Sequence, residues 1–191
     1  MSRLSIHAED CFSRPQATKP LLESVDPTVI TFELQSRGID FERWPTPIDL
    51  KEKASEASIL SAYSEEIAHV QSEGRYPTVD AIRMTPEHPQ RGELRQKFLA
   101  EHTHAEDEVR FFVEGRGLFC LHIKQEVLLV LCEKNDLISV PAGTRHWFDM
   151  GSKPQFCALR FFNNPEGWIA NFTGDSIATK FLKAFDLDQM I

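Results

Sequence analysis

No run in this sequence approaches the roughly eighteen consecutive apolar residues that a membrane-crossing helix needs, so a helical membrane protein is not expected. Positive charge is also in short supply. Lysine and arginine number 21 against 29 aspartates and glutamates, a formal net charge of −8. A general nucleic-acid binder needs a basic face, and so does a protein that adheres to anionic lipid, so neither partner is expected. A local field can still oppose the net charge, so an anionic small substrate stays open. Cysteine is sparse: Cys11, Cys120, Cys132 and Cys157, with no C-x-x-C pair. Three of them lie in apolar, strand-like runs, which points to buried thiols rather than disulfides. Met1 to Arg14 mixes charges with single apolar residues and lacks the core of a secretory signal, so the expected location is the cytoplasm.

What remains is an ordinary globular composition: 191 residues, 41% hydrophobic and 26% charged. That is enough chain for a single domain with a real core, and residues 1–191 are read as one. Residues 1–26, with Pro15 and Pro20, read as an irregular lead-in. Thr28 to Leu34 (T-V-I-T-F-E-L) alternates and is β-branched, which predicts a strand. Ser36-Arg37-Gly38 marks a turn, and Trp44-Pro45-Thr46-Pro47 makes Phe41 to Pro47 irregular. Between Leu50 and Val70, the apolar residues Ile59, Leu60, Tyr63, Ile67 and Val70 recur at helical spacing, closed by Gly74. Val79 to Met84 reads as a short helix or turn, and Glu93 to Ala100 as a further helix, or one passing into a strand.

From His102 onward the texture changes. Short apolar runs follow one another, separated by Glu114-Gly115-Arg116-Gly117, Asn135-Asp136, Pro141-Ala142-Gly143 and Gly151-Ser152. Evenly spaced short strands of this kind predict a sandwich or barrel. The tail from about residue 164 contains Asn-Pro-Glu-Gly-Trp and a short apolar helix near Ile177 to Phe185. The expected organisation is therefore a helical or irregular part over about 1–95, a β core over about 96–163 and a tail over 164–191.

The chemistry concentrates in E-H-T-H-A-E-D-E. On extended chain, residues two apart point to the same side, so His102 and His104 can reach one point. Glu108 keeps the same parity, and His146 in P-A-G-T-R-H supplies a distant fourth candidate. Imidazole and carboxylate suit Fe(II), Ni(II), Mn(II) or Zn(II), and the lack of cysteine argues against a structural zinc site. An H-x-H pair alone is weak evidence, because most histidines are not ligands. Of the others, His122 falls at core parity, while His7, His69 and His88 are expected to be exposed. Parity also places Arg110 beside Glu108, and Phe148 beside His146. A guanidinium near a divalent metal is repelled unless an anion lies between them, which makes Arg110 a candidate substrate-binding and catalytic residue. The alternative is a salt bridge from Arg110 to Glu106, Asp107 or Glu114. Trp147, at opposite parity, should face away.

H-T-H-A-E-D-E-V-R-F-F-V-E-G and N-D-L-I-S-V-P-A-G-T-R-H resemble the two cupin motifs, with Asn135 where a glycine is usual and Met150 where an asparagine is frequent. Asparagine tolerates the left-handed backbone, so the turn is kept. E-D-E-V-R-F-F-V-E-G-R-G-L-F, V-P-A-G-T-R-H-W-F-D-M-G and R-F-F-N-N-P-E-G-W-I-A-N-F-T-G look like the acireductone dioxygenase family over about Arg91 to Thr173. The resemblance implies a mainly β, cupin-type jelly-roll barrel (a double-stranded β-helix) with a helical N-terminal part. It implies one Fe(II) or Ni(II) per chain, held by His102, His104, Glu108 and His146. It also implies oxidation of acireductone (1,2-dihydroxy-3-keto-5-methylthiopentene) by O2 in methionine salvage. Iron gives formate and 4-methylthio-2-oxobutanoate, and nickel gives formate, CO and 3-methylthiopropanoate. Phe98 and Trp168 join Phe148 as candidates for the wall around the methylthio end, though each can equally be plain core packing. A monomer is expected. Two other readings stay open: a cupin dioxygenase or isomerase with another substrate, and a non-catalytic cupin that binds a small ligand.

Overall fold

The computed structural model describes residues 1–13, 19–46, 48–51, 53–72, 75–164, 167–185 and 187–189. Pro15, Pro47, Gly74 and the Pro165-Glu166 pair, read as breaks or turns in the sequence, lie outside the described residues.

The architecture is organised by one long strand, β6 (Glu108–Ile123). Its first half pairs antiparallel with β8 (Asp136–Val140) and β10 (Phe156–Phe162). β3 (Asp40–Arg43) extends that sheet beyond β8, and β4 (Thr78–Met84) extends it beyond β10. The second half of β6 pairs with β7 (Glu126–Glu133) and β9 (Arg145–Asp149). Beyond β7 lie β1 (Arg3–Ala8) and β2 (Leu22–Ser24); beyond β9 lie β5 (His102–Thr103) and β11 (Asn171–Phe172). Two antiparallel sheets thus share a strand and enclose a common apolar interior, the cupin-type jelly roll expected from the sequence.

The crossover point corrects one expectation. Glu114-Gly115-Arg116-Gly117 does not reverse the chain; β6 runs straight through it. Gly115 adopts φ +64 opposite Phe156, two residues past Val113, which a register shift at Cys157/Ala158 of β10 leaves without a partner there, and the strand bends here from one sheet to the other. A bulge with glycine in the left-handed region is how a strand turns such a corner.

Other elements differ from the sequence reading for identifiable reasons. Thr28 to Leu34 is not a strand but lies in helix α1 (Pro27–Gln35). The Asp26 side chain accepts a hydrogen bond from Thr28 N at 2.8 Å, Pro27 opens the first turn, and Ile30 and Leu34 are buried four residues apart. Capping and i,i+4 burial outweigh the β-branched composition here. Among the described residues, 1–95 also hold four strands, β1 to β4, where a helical and irregular part was expected. Val79 to Met84 belongs to β4, fixed by seven register pairs with β10, and part of the stretch from Phe41 belongs to β3. None of these distant partners is visible in a local sequence window. β1 buries Leu4 and Ile6 on one side and His7 on the other; His7 is buried, not exposed as expected.

The helices follow the predicted spacing more closely. α2 (Glu56–Ala62) and α3 (Ser64–Ser72) bury Ile59, Tyr63 and Ile67 against the outer face of the first sheet. α4 (Arg91–Leu99) leads into β5. α5 (Ile177–Ala184) covers the second sheet, where Trp147 packs with Phe181. All four cysteines are buried and free. Among the described residues, no helix is long and apolar enough to cross a membrane.

A Cβ at Gly115 would lie 1.9 Å from the carbonyl oxygen of Gln155, whereas one at Gly143 (φ +77) would meet nothing within 4 Å. Gly115→Ala should therefore cost about 2–4 kcal/mol, from left-handed strain plus the backbone clash, and Gly143→Ala only about 1 kcal/mol. Urea denaturation midpoints of the two variants check this; equal losses would contradict the role given to Gly115.

Candidate metal centre

His102 and His146 are directly opposed across the β5–β9 ladder, and Glu108 opens β6 beside them. His104 follows β5 in the loop that leads to β6. All four side chains are buried, and one ligand atom from each lies within 4.8 Å of the others.

The hydrogen bonds at the far side of each ring decide what faces this centre. Nδ1 of His102 lies 2.7 Å from the Ala100 carbonyl, that of His104 lies 2.8 Å from Ile169 O, and that of His146 lies 2.8 Å from Thr144 O. A carbonyl only accepts, so each Nδ1 carries the proton and donates it. In the neutral rings, each Nε2 is then a bare lone pair. Nε2 of His104 and of His146 sit 3.0 and 3.1 Å from the same carboxylate oxygen, Glu108 Oε2. Acceptors at that spacing repel unless a cation lies among them, either protons on the rings or a metal ion.

The titration behaviour has the same origin. Burial pushes the Glu108 carboxyl up, but Arg110, His104 and His146 together outweigh it and hold it well below the ordinary range. Burial and the neighbouring His146 lower His102 to about 4. Burial also pulls His104 down, yet Glu108 more than compensates and leaves it raised. With an N3O donor set free of thiolates, the centre suits a divalent transition metal and leaves coordination positions open.

A cavity of about 500 Å³ opens onto these four residues. All eight residues singled out in the sequence line it: His102, His104, Glu108, His146, Arg110, Phe98, Phe148 and Trp168. Arg110 is buried and faces inward as parity required, but the expected partners do not take it. Glu114 pairs with Arg83, and Asp107 accepts from Tyr76 Oη and Ala142 N. Arg110 Nε instead lies 2.8 Å from Glu108 Oε1. The two are not aligned as a hydrogen bond, and Arg110 Nε, Arg110 Nη1 and Glu108 Oε1 have no hydrogen-bond partner among the described residues. The guanidinium carbon sits 4.7 Å from the Phe148 ring centroid and 5.3 Å from that of Trp168. A buried cation caged by aromatic faces, with donors left over, is equipped to meet an anion.

The sequence reading missed part of this cavity. Thr78, Asp80 and Ile82 line it from alternate positions of β4, and Arg160 and Phe162 from β10. Arg160 donates to both oxygens of Asp80, at 2.8 and 2.5 Å. The alternation was present in T-V-D-A-I-R-M, but reading Val79 to Met84 as a helix or turn hid it. Leu94, four residues before Phe98 on α4, was also missed. Trp147 faces away from the cavity as expected. His122 is buried as expected, held between Glu101 Oε1 at 2.6 Å and Glu9 Oε2 at 2.9 Å.

Comparison with known proteins gives a consistent picture. The model of the ARD/ARD' family matches residues 12–170. The chain is 70% identical over 183 residues to an acireductone dioxygenase of Prochlorococcus marinus (strain MIT 9313), covering 96% of this chain and 99% of that protein. It is 62% identical over 186 residues to one from Synechococcus sp. (strain WH7803), covering 97% and 100%. A solved structure, acireductone dioxygenase from Bacillus anthracis with a cadmium ion in its active centre, superposes with a TM-score of 0.75 at 31% identity. It covers 90% of this chain and 98% of that one.

Because His104 holds its proton to higher pH than a free imidazole, a metal ion must displace it. Nickel affinity of the metal-free protein should therefore fall as pH drops, by about tenfold per unit for each proton displaced. Calorimetric titrations between pH 5 and 8 read this directly, and a flat profile would contradict it.

Proposed function

The chain belongs to the acireductone dioxygenase family, metal-dependent dioxygenases of methionine salvage, and from that membership we propose how this site serves the reaction. One Fe(II) or Ni(II) is held by His102, His104, Glu108 and His146. The observation that carries this is the cluster of acceptors: two imidazole nitrogens face one carboxylate oxygen, with every Nδ1 committed to a carbonyl. When bound, the metal supplies Lewis acidity and a template for neighbouring substrate oxygens.

The substrate is acireductone, cleaved with O2. Iron gives formate and 4-methylthio-2-oxobutanoate, and nickel gives formate, CO and 3-methylthiopropanoate. Arg110 contributes a fixed positive charge and unengaged N–H donors to an enediolate oxygen. Phe148 and Trp168 flank the guanidinium and Glu108 ion-pairs with its Nε, while Nη1 has no hydrogen-bond partner among the described residues and can donate to an anion. Phe98, Phe148 and Trp168 form the wall for the methylthio tail, joined by Ile82 and Leu94. Trp168 is held in place by donating Nε1–H to Asp107 O at 3.0 Å. This apolar side also limits water around the electron-rich substrate. We read the protein as a cytoplasmic monomer of one domain that acts on a small molecule and O2, without nucleic-acid or membrane partners.

The direct test is acireductone consumption after loading with iron or nickel, with CO measured by gas chromatography. Consumption with both metals and CO with nickel alone is expected; no consumption with either would sink the assignment. Arg110→Ala should keep metal content near normal and lower kcat/KM by about 10²–10³-fold. Normal turnover in that variant removes Arg110 from the mechanism.

A further inference from the structure

Phe148 lines the apolar side of the cavity, and it can sit where it does because residue 117 is glycine. A Cβ at position 117 would lie 2.3 Å from Cζ and 2.6 Å from Cε2 of Phe148, and 3.4 Å from Cε1 of Phe112. Gly117 is not among the residues with positive φ, so conformational freedom is not what the glycine supplies. It supplies room for another side chain to approach the backbone.

The ring has little space to retreat. Phe119 lies 4.9 Å away between centroids, Phe156 5.7 Å and Phe112 6.4 Å, and Phe148 is almost fully buried. Interiors packed to this density do not absorb a methyl group without moving something. The open side of Phe148 is the cavity it lines, toward Arg110 and Phe98. Gly117 itself is not part of the cavity lining.

We infer that Gly117 sets the depth of the apolar end of the site, and so the length of substrate tail it accepts. Gly117 touches no substrate; it acts through Phe148 and is a specificity-determining residue. This rests on the proposed function only for the chemistry of the tail. The geometric stop is independent of turnover.

The test is calorimetric binding of 2-oxo acids to the nickel-loaded protein: pyruvate, 2-oxopentanoate and 4-methylthio-2-oxobutanoate. The native protein should favour the longer tails, by about fourfold per methylene-sized group. Gly117→Ala should weaken 4-methylthio-2-oxobutanoate by about tenfold and pyruvate by less than about twofold, because a displaced Phe148 shortens the tail site by one to two such groups. Adding Phe148→Leu to Gly117→Ala should restore the preference, which a merely destabilised fold would not do. Equal losses for all three acids, no loss for any, no tail preference in the native protein, or no rescue would each overturn the inference. If Gly117→Ala yields no folded protein, Phe148→Leu with Gly117 intact carries the test: 2-oxooctanoate should gain on 2-oxopentanoate, and an unchanged ranking overturns it. Absence of acireductone turnover with this tail dependence intact would defeat the dioxygenase reading and leave the role of Gly117 standing.

Discussion

Everything at the heart of this molecule depends on an electrostatic constraint: lone pairs forced to face one another. Ala100, Ile169 and Thr144 accept the Nδ1 protons of the three histidines, which leaves each neutral ring with a bare Nε2. Glu108 adds a carboxylate that Arg110 keeps ionised. Such an arrangement is costly in a buried setting unless a cation completes it. The fold supplies the rigidity that holds it together. β5, β6 and β9 are consecutive neighbours in one region of the barrel, and the bend at Gly115 lets a single strand carry Glu108 and Arg110 in one sheet while it anchors β9 in the other.

The same geometry gives the cavity two chemically distinct ends. One holds the acceptor cluster and the Arg110 guanidinium. The other is built from Ile82, Leu94, Phe98 and Phe148, drawn from β4, α4 and β9. Aromatic faces connect the two, since Phe148 and Trp168 flank Arg110. A small molecule with an anionic head and an apolar tail fits that division, as an enediolate with a methylthio end does. Gly117, behind the ring of Phe148, controls where the apolar end stops.

Much of the site was legible in the sequence because it obeys a period of two. Glu108 and Arg110 on β6, and His146 and Phe148 on β9, take their direction from strand alternation, while His104 lies just past the end of β5 yet still turns to the side of His102; all six line the cavity. The partner of Arg110 was not legible, since Glu106, Asp107, Glu108 and Glu114 all lie within a few residues of it in sequence. β4 was missed because its identity comes from pairing with β10, some eighty residues away, and with it went Asp80 and Ile82. α1 was misread because the Asp26 cap and the burial of Ile30 and Leu34 outweigh β-branched composition. His7 was misplaced because its strand is covered by α5, whose docking no local pattern announces.

The most direct measurement is metal stoichiometry and coordination together: elemental analysis of nickel- or iron-loaded protein, with X-ray absorption at the metal edge. One ion per chain with three imidazoles and oxygen in its first coordination sphere, lost on His104→Ala or Glu108→Ala, is the predicted result. Full metal content in those variants, or a sphere without imidazole, would contradict the claim that this cluster is a metal centre.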